Sequence, residues 1–320
     1  MEKNLFCKDF YNRININIIK LNNNFTKIIL FLLLILFLIY IYHLSQLNKL
    51  FKKTKILYKK RIKFLKEFNV TYNESNLITF QDKINWLIIH DTNELKGNCS
   101  DKILLHEFSK RKLGIDICNK ILKIYNNAEE IKLNELPNKF ILKTNHGSGF
   151  NLIVNNKSNI DHTNIKILFR SWINIDYGEL MAEFHYSFIK KKIFVEEFIG
   201  EQLKNYKFLC YNGNPKFAYL SIIERGKKYR NFYDMKWNFL NFHCLSEPHP
   251  TKTFSKPKYF ELMKKYARIL SKDFKFVRVD FYELEKEVRL GELTFTPMNS
   301  LFYCKNKSHE IELGKEIKIT

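Results

Sequence analysis

The hydrophobic residues of this chain form one unbroken run near its beginning and a changing pattern after it. The run covers residues 28–42, and it reaches Leu44 if His43 is counted. It has no polar face, and its length falls just short of the ~17–25 residues that cross a bilayer as a helix. We therefore predict a membrane anchor over residues 27–44 that spans the bilayer or lies in its interface, rather than a buried core helix.

Basic residues flank this run unevenly, which predicts its orientation. Five precede it: Lys3, Lys8, Arg13, Lys20 and Lys27. The denser flank after it comprises Lys49, Lys52, Lys53, Lys55, Lys59, Lys60, Arg61, Lys63 and Lys66. The flank richer in Lys and Arg stays in the cytoplasm. We predict a single-pass anchor between a polar segment (residues 1–26) and a basic juxtamembrane linker or helix (residues 45–70), with the body cytoplasmic. A cleaved signal peptide is disfavoured, because a long polar stretch precedes the run and no small-x-small site follows it.

From about residue 71 the hydrophobic period changes repeatedly without an internal repeat, which is typical of an α/β or α+β body. Of these two classes we predict α+β. We predict helices over residues 100–113, 163–172 and 257–273, the first capped by Ser100 and ended by Gly114. Turn residues such as Asn212-Gly213 separate the apolar or alternating segments expected to be strands. These predicted strands cover residues 140–142, 152–154, 193–200, 206–211, 216–223, 276–284 and 289–296.

Composition supports a folded body and argues against a nucleic-acid role. The 320 residues are 45% hydrophobic and 15% aromatic, which is ample for a core. The net charge of +21 comes mainly from lysine, without an arginine cluster. Because arginine is the residue that reads guanine edges, we expect no nucleic-acid partner. The six cysteines are scattered without a C-x-x-C pair, which predicts reduced thiols facing a cytosol rather than a zinc site.

A glycine-bearing turn with a lysine at its entrance is the first candidate for chemistry. Gly147 and Gly149 lie between two short apolar strands, and Lys143 ends the first of them. Glycines let the backbone approach an anion and direct its N–H groups at it, and the lysine adds a mobile charge. The spacing excludes a Walker motif. Alone, a Gly-x-Gly between strands is more often an ordinary hairpin, so the neighbouring motifs must decide. His146 either contacts phosphate or caps the turn.

The last two predicted strands carry the second candidate. Strand alternation puts Arg278 and Asp280 on one face of the first strand, and Glu292 and Thr294 on one face of the second. Antiparallel pairing would bring Asp280 and Glu292 together beside Arg278. Two carboxylates and an arginine suit Mg²⁺ and a transferring phosphoryl group. The alternative is a cross-strand salt bridge on a solvated face.

These parts occur in the order found in the ATP-grasp fold, and the chain from about Thr79 to Phe302 resembles the TupA-like branch of that superfamily. That branch is associated with teichuronopeptide and other surface-polysaccharide clusters. The residues that carry the resemblance are Thr79-Phe-Gln-Asp-Lys-Ile-Asn-Trp86, Ser100-Asp-Lys102, Leu136-Pro-Asn-Lys-Phe-Ile-Leu-Lys-Thr-Asn-His-Gly-Ser-Gly149, Val195-Glu-Glu-Phe-Ile199, Tyr206-Lys-Phe208, Asn231-Phe-Tyr-Asp-Met-Lys-Trp237, Val277-Arg-Val-Asp280 and Gly291-Glu-Leu-Thr-Phe-Thr-Pro297.

The resemblance implies that ATP lies between two sheet-containing subdomains. It implies subdomains at residues 71–135 (helical), 136–200 (small, with the phosphate turn and adenine hinge) and 201–320 (large, with the metal and phosphate site). The implied nucleotide contacts are Lys143, His146, Gly147, Ser148 and Gly149 at the phosphates, Glu196, Glu197 and Phe198 at the adenine, and Glu201 at the ribose. The implied catalytic residues are Lys207 and Arg278 at the β- and γ-phosphates, and the implied Mg²⁺ ligands are Asp280, Glu292 and Thr294.

Two departures from the superfamily pattern bear on the chemistry. Thr294 stands where an asparagine commonly ligates metal, so a second metal site is in question. Met298, Asn299 and Ser300 replace the usual glycines, which is expected to alter how the acceptor is positioned.

The resemblance predicts an enzyme, a membrane-anchored ATP-dependent ligase. It would join a carboxylate to an amine through an acyl phosphate, on a cell-surface glycan or its precursor. One alternative is a glycosyltransferase, which usually carries an Asp-x-Asp triplet that this sequence lacks. Another is a membrane-tethered nucleotide-binding module without catalysis, and the charged set of Lys143, Arg278, Asp280 and Glu292 argues against it.

Overall fold

The computed structural model of the chain describes residues 3–201, 203–245 and 253–319. Met1 and Glu2, at the start of the predicted polar segment, lie outside the described residues, as do Gln202, residues 246–252 and Thr320 of the last predicted subdomain. Clustering of contacts separates two compact units, Met1–Ile56 and Leu57–Thr320. Helix α1 (Lys3–Glu67) begins in the first unit and ends in the second.

The apolar run of the first unit lies within α1, and its described side chains are exposed. Within the described residues, the helix over Phe31–Glu67 contains an 18-residue stretch that is long and apolar enough to cross a membrane, with a mean hydropathy of 1.8. A signal sequence near an N-terminus would satisfy the same criterion. The structure therefore contains a helix of the kind predicted for an anchor.

The second unit combines helices with two antiparallel sheets, so the predicted α+β class is confirmed. Its helices after α1 are α2 (Phe80–His90), α3 (Glu94–Ser100), α4 (Leu104–Leu113), α5 (His162–Asn174), α6 (Tyr177–Leu180), α7 (Phe260–Ser271) and α8 (Lys307–Lys315). Short 3-10 helices cover Ala128–Glu130, Leu133–Glu135, Lys157–Asn159, Phe184–Phe188 and Pro297–Ser300. Thr79 starts α2 with a capping box, accepting from the backbone of Asp82 while the Asp82 side chain accepts from the backbone of Thr79.

Four strands form the small sheet, in the order β1-β4-β2-β3. They are β1 (Ile121–Tyr125), β2 (Phe140–Thr144), β3 (Asn151–Val154) and β4 (Ile193–Glu197). The predicted strands 140–142, 152–154 and 193–200 correspond to β2, β3 and β4. The residues of β2 are buried or half-buried along its whole length, and Phe140 and Leu142 belong to a core beneath α5.

Six strands form the large sheet, in the order β10-β9-β5-β6-β7-β8. They are β5 (Asn205–Tyr211), β6 (Asn214–Glu224), β7 (Lys227–Asp234), β8 (Phe239–Leu240), β9 (Phe276–Glu283) and β10 (Val288–Thr294). The β5–β6 hairpin turns at Asn212 and Gly213, which have φ of 47° and 79°. Asn-Gly is the preferred pair for such a turn, since both central residues need positive φ.

Residues 57–67 of α1 pack into the second unit. Phe64 and Leu65 are 7% and 0% exposed and belong to a core that also contains Phe80 and Phe276. Arg61, from the same turns, is fully buried. The predicted juxtamembrane segment therefore contributes to the folded body.

The structure corrects the prediction of one helix from Ser100. Ser100 is the last residue of α3, and the chain turns at Asp101 before α4 begins. The Asp101 carboxylate accepts hydrogen bonds from the backbones of Ile103 and Leu104, so it replaces Ser100 as the side chain that starts the second helix. The end at Gly114, with φ of 76°, was predicted correctly.

The prediction of six reduced thiols is also corrected. Cys244 and Cys304 form a disulfide that joins positions 60 residues apart. Their segments pair as an isolated antiparallel bridge, which brings the two cysteines opposite each other. Cys99, Cys118 and Cys210 are buried free thiols, as predicted. A spatial pairing between distant segments leaves no spacing signal in the sequence.

Candidate active site

A cleft between the small and large sheets is lined by four of the predicted site residues. Its walls include Lys143 of β2, Glu196 of β4 and Glu292 of β10. The full lining is Lys102, Leu105, His106, Cys118, Asn119, Lys143, Gly147, Phe150, Asn151, Glu196, Asn205, Tyr282, Leu290, Gly291 and Glu292. The residues come from six strands, from helix α4 and from the loops beside them. Both candidate motifs of the sequence therefore face one space.

The glycine turn between β2 and β3 has the backbone that its sequence predicts. Gly147 and Gly149 have φ of 96° and 85°, where a side chain would be strained. A Cβ at Gly147 would also come within 2.6 Å of the ring of Tyr177. Ser148 and Gly149 are exposed at the tip of the turn.

Lys102 is a cleft residue to which sequence reasoning assigned no role. Its ammonium group donates to the backbone carbonyl of Gly147 over 2.6 Å. Burial lowers the pKa of Lys102, with the carboxylates of Glu292, Asp101 and Glu196 acting in the opposite direction and Lys143 acting with burial. Lys102 thus places a second cation beside Lys143 at the glycine turn. Its place within the Ser100-Asp-Lys102 motif was the only signal in the sequence.

Lys143 and Glu196 connect neighbouring strands of the small sheet. The Lys143 ammonium lies 2.5 Å from the Glu196 carboxylate, whose side chain is 10% exposed. The Asn119 amide nitrogen donates to the same carboxylate oxygen at 3.3 Å. This set of lysine, carboxylate and amide forms one wall of the cleft.

His146 lies beneath the turn rather than among the cleft lining. It is 2% exposed, and its Nε2 is 3.2 Å from the backbone carbonyl of Ile175. Burial lowers the pKa of His146 to about 4, assisted by the charge of Lys191. The imidazole is therefore neutral at pH 7 and ties the turn to the segment after α5.

The residues predicted to contact adenine and ribose are spread along the end of β4. The Glu197 backbone N–H already donates to the carbonyl of Lys120, and its side chain is exposed. The half-buried Phe198 carries the ammonium of Lys139 over its ring, 4.8 Å from the centroid. Glu201 is exposed and lies 3.4 Å from the same ammonium. Of this group, only Glu196 is among the cleft residues.

The second motif forms a compact charged cluster on the large sheet. Strand register pairs Glu292 directly with Asp280, as predicted, and Thr294 with Arg278. The ladder is irregular between Leu290 and Glu292, at Gly291. The Arg278 guanidinium bonds both oxygens of Asp280, at 2.6 and 2.7 Å, and reaches Glu292 at 2.7 Å. This bidentate geometry fixes the guanidinium plane.

Lys207 completes the cluster from the adjacent strand β5. Its ammonium bonds Asp280, which is fully buried. Burial alone would lower the pKa of Arg278, but Asp280, Tyr219 and Glu292 outweigh it and hold that pKa well above its usual value. The solvated salt bridge considered from the sequence is therefore not what the structure shows, since Arg278 is only 7% exposed.

Hard oxygen ligands are what Mg²⁺ requires, and the cluster supplies them chiefly through Glu292. Its side chain is 43% exposed and lines the cleft. Burial would raise the pKa of Glu292, but the charges of Arg278, Lys207 and Lys102 outweigh it and lower the pKa to about 2. Thr294 donates to Glu292 over 3.0 Å. Asp280 offers an oxygen only after one of its ion pairs opens, so the donor set fits a cation first at Glu292.

The loop beyond β10 is held by contacts that the sequence did not reveal. Met298, Asn299 and Ser300 all have positive φ, between 53° and 55°. Arg61 donates to the side chains of Asn299 and Ser300 at 2.7 and 2.6 Å, and to the Asn299 carbonyl at 2.7 Å. Glycine adopts positive φ most readily, which fits the expectation from the resemblance that glycines usually stand at these positions.

A buried acid lies between this loop and the glycine turn. Glu183 is 4% exposed and accepts a hydrogen bond from Thr296. Burial raises the pKa of Glu183 to about 7, against the lowering effects of Thr296, Arg61 and Tyr177. The ring of Tyr177 in turn packs on Gly147. Glu183 therefore links both ends of the candidate site.

The chain is similar to a known protein family and to several solved structures. The family model described as TupA-like ATPgrasp matches residues 82–318. No curated protein matches the chain. The solved structures similar to it include an ATP complex of D-alanine–D-alanine ligase from Bacillus anthracis, with 15% identity, coverage of 64% of this chain and 56% of that one, and a TM-score of 0.40.

Two further structures show the same degree of likeness. For D-alanine–D-alanine ligase from Helicobacter pylori, the identity is 20%, the coverage 69% and 59%, and the TM-score 0.37. For an ADP complex of N5-carboxyaminoimidazole ribonucleotide synthetase, the values are 14%, 72% and 54%, and 0.44. The chain spans little more than half the length of these proteins.

Proposed function

Because the chain belongs to the TupA-like ATP-grasp family, we propose that it is an ATP-dependent carboxylate–amine ligase of cell-surface polysaccharide biosynthesis, teichuronopeptide-like or capsular. In this proposal, ATP converts a carboxylate to an acyl phosphate, and an amine then displaces phosphate to give an amide. At least one of the two substrates is attached to a glycan or its precursor.

The observation that carries the proposal is the meeting of two charged sets across one cleft. Lys143 and Glu196 approach from the small sheet, and Glu292 approaches from the large sheet with Arg278 bonded to it. Four cations, Lys102, Lys143, Lys207 and Arg278, lie in or directly behind this space. A polyphosphate is the ligand whose charge such a set would balance.

The residues of the small sheet would hold the inner phosphates. Lys143 and Lys102 place two ammonium groups at the glycine turn, and the exposed backbone of Ser148 and Gly149 is open to an anion. Such contacts position the nucleotide, and positioning is a large part of the catalytic effect in phosphoryl transfer.

The residues of the large sheet would act at the transferred phosphoryl group. As the carboxylate oxygen attacks phosphorus and the bond to ADP breaks, Arg278 and Lys207 offset the charge on the phosphoryl oxygens. Glu292, with Asp280 and Thr294 beside it, would hold Mg²⁺, which would neutralise charge on the same oxygens. The bonds from Arg278 and Thr294 keep the Glu292 carboxylate in one orientation.

Hydroxylamine trapping tests the acyl-phosphate step without knowledge of the amine. The full chain in detergent micelles would be incubated with ATP, Mg²⁺, hydroxylamine and a panel of uronic acids and amino acids. An acyl phosphate reacts with hydroxylamine to give a hydroxamate, measured beside ADP. We expect hydroxamate with at least one carboxylate, and its loss in an Asp280→Asn, Glu292→Gln double variant.

A matched control uses a carboxylate outside the site. Glu179→Gln makes the same chemical change at the surface of α6, so it should leave hydroxamate formation intact. Mg²⁺-dependent ATP binding by a protein that forms no hydroxamate with any acid would reduce the proposal to a nucleotide-binding module.

The proposed location is a single-pass anchor with the body in the cytoplasm, where ATP is available. The basic flank after the apolar run supports it. The Cys244–Cys304 disulfide supports the opposite side, because disulfides persist in oxidising compartments. Protease protection in sealed membranes decides between them, and protection inside right-side-out vesicles is the expected result.

A further inference from the structure

The amide of Asn119 has a buried oxygen without a partner. Asn119 precedes β1, lines the cleft and is 6% exposed. Its nitrogen donates to the Glu196 carboxylate at 3.3 Å. A carboxylate paired with an ammonium only accepts, so this bond fixes which end of the amide faces Glu196. Within the described residues, its Oδ1 accepts no hydrogen bond.

A buried acceptor left unpaired is unfavourable, and such atoms in native structures call for an explanation. Neither the glycine turn nor the pairing of the strands explains why the Asn119 oxygen lacks a partner. Its neighbour Glu196 belongs to the wall that faces the cleft. Asn119 and Glu196 therefore present acceptor oxygens side by side, and a ligand that donates hydrogen bonds would satisfy them.

The group at C6 is one position at which the purine bases differ as hydrogen-bond donors. Adenine carries an amino group at C6, which donates two hydrogen bonds, whereas guanine and hypoxanthine carry an oxygen there. If the C6 oxygen of guanine or hypoxanthine lay against Asn119 and Glu196, it would face their acceptor oxygens and no hydrogen bond could form. Sites built to hydrogen-bond a polar group reject analogues that lack it, because the protein groups are then left unpaired.

We propose that Asn119 Oδ1 accepts a hydrogen bond from the 6-amino group of adenine and so selects ATP over other purine triphosphates. The inference rests on the proposed function, since it assigns the base end of the same cleft. Glu196 orients the amide, and Asn119 supplies the selective contact. The ribose hydroxyls are the other donors on ATP, so the test separates them from the base.

The experiment is calorimetric binding of four nucleotides with Mg²⁺ to the full chain in detergent micelles. The probes are ATP, purine riboside triphosphate, which lacks the amino group, inosine triphosphate, and 2′-deoxy-ATP. Wild type is expected to bind ATP roughly 10-fold more tightly than purine riboside triphosphate, the size of one hydrogen bond in a buried site. Inosine triphosphate should bind more weakly still.

Two variants make the assignment specific. Asn119→Leu keeps the volume and removes the acceptor, so the ratio of ATP to purine riboside triphosphate affinities should fall close to one. Asn119→Ser retains an acceptor and should keep part of the preference. Because each variant is judged by a ratio of two ligands, a general loss of affinity does not imitate the effect.

An unchanged ratio in Asn119→Leu would overturn the assignment to the base. Loss of discrimination against 2′-deoxy-ATP alone would move the contact to the ribose and overturn it as well. Failure of a folded wild-type chain to bind any of the four nucleotides would instead overturn the proposed function. If wild type bound ATP, purine riboside triphosphate and inosine triphosphate with equal affinity, the ligase proposal would stay intact and only this inference would be overturned.

Discussion

Two buried arginines hold the candidate site, and they do so with opposite chemistry. Arg278 on β9 bonds the carboxylates of Asp280 and Glu292. Arg61, in the part of α1 that packs into the second unit, bonds no carboxylate among the described residues. Its partners are the side chains of Asn85, Asn299 and Ser300 and the carbonyls of Met181, Ala182 and Asn299.

The difference separates a site residue from a support. Arg278 lies among charges that a phosphoryl group would rearrange, so its function depends on charge. Arg61 uses its planar set of donors to satisfy acceptors on three separate segments. One of them is the loop of Met298, Asn299 and Ser300, where left-handed backbone costs roughly 1–2 kcal/mol per residue. Removing each arginine should therefore damage a different property.

The largest expected effect is on stability, in Arg61→Ala. The substitution removes the Arg61 donor from buried acceptors at Asn299, Ser300 and Ala182. We expect a loss of about 3–5 kcal/mol in the free energy of unfolding. Urea unfolding of the second unit in the full chain, followed by tryptophan fluorescence, measures it. Arg61→Lys keeps the charge but not the planar donor set, so it should recover only a minor part.

A loss below about 1 kcal/mol in Arg61→Ala would contradict the structural role of Arg61. Water would then be donating hydrogen bonds to the acceptors that Arg61 had left. Full recovery by lysine would contradict the assigned geometry, because charge alone would suffice.

Arg278→Lys should show the reverse pattern. Lysine keeps a cation next to the buried Asp280, and Lys207 is still present, so no carboxylate is left without a cation. The free energy of unfolding should therefore fall by less than in Arg61→Ala. The lost bidentate contact should lower the rate of ADP and hydroxamate formation by roughly 10²–10³-fold, the usual effect of removing one group that stabilises developing charge. A larger change in stability than in rate would make Arg278 a support like Arg61.

The next largest effect is a pH dependence of stability that originates in Glu183, the titratable carboxyl group near Arg61. Its pKa is about 7 in the folded chain and near 4.5 when unfolded. A raised folded pKa contributes stability that is fully present below the unfolded value and is lost as the pH rises through the folded one. Between pH 4.5 and 8 the loss amounts to roughly 2–3 kcal/mol.

Glu183→Gln removes this titration and is the test of it. The variant should gain stability relative to wild type as the pH rises from 5 to 7, and the difference should level off above pH 7. Unfolding free energies at four pH values measure the difference. A wild-type minus variant difference that stays constant with pH would show that Glu183 is ionised in the fold.

The sequence predicted a place for Arg278 in the site but no contact for Arg61, and the reason is physical. Strand alternation and a short connection between two strands are local, so the set of Arg278, Asp280 and Glu292 followed from the pattern. Arg61 meets Asn299 across 238 positions, and only the folded chain brings them together. The same reason explains why the basic segment after the apolar run was predicted to be a juxtamembrane linker or helix and not a part of the folded body.

Other misses have the same origin. The Cys244–Cys304 pair depends on two distant segments lying side by side, which no cysteine spacing indicates. Lys102 and Asn119 face the cleft because of how their loops turn between elements, and loops carry no hydrophobic period. The predicted contacts of Glu197, Phe198 and Glu201 stay predictions, as does the division of the body into three subdomains.

The smallest expected effect comes from Glu179→Gln, which acts between two segments that Arg61 also joins. Lys60, next to Arg61 in α1, lies 2.5 Å from Glu179, and both side chains are almost half exposed. Exposed ion pairs contribute about 0–1 kcal/mol and are screened by salt. We expect a loss under about 0.5 kcal/mol that vanishes in 1 M sodium chloride, whereas the effect of Arg61→Ala should persist there. Salt-sensitive losses of equal size in both variants would mean that charge, rather than buried hydrogen bonding, attaches α1 to the body.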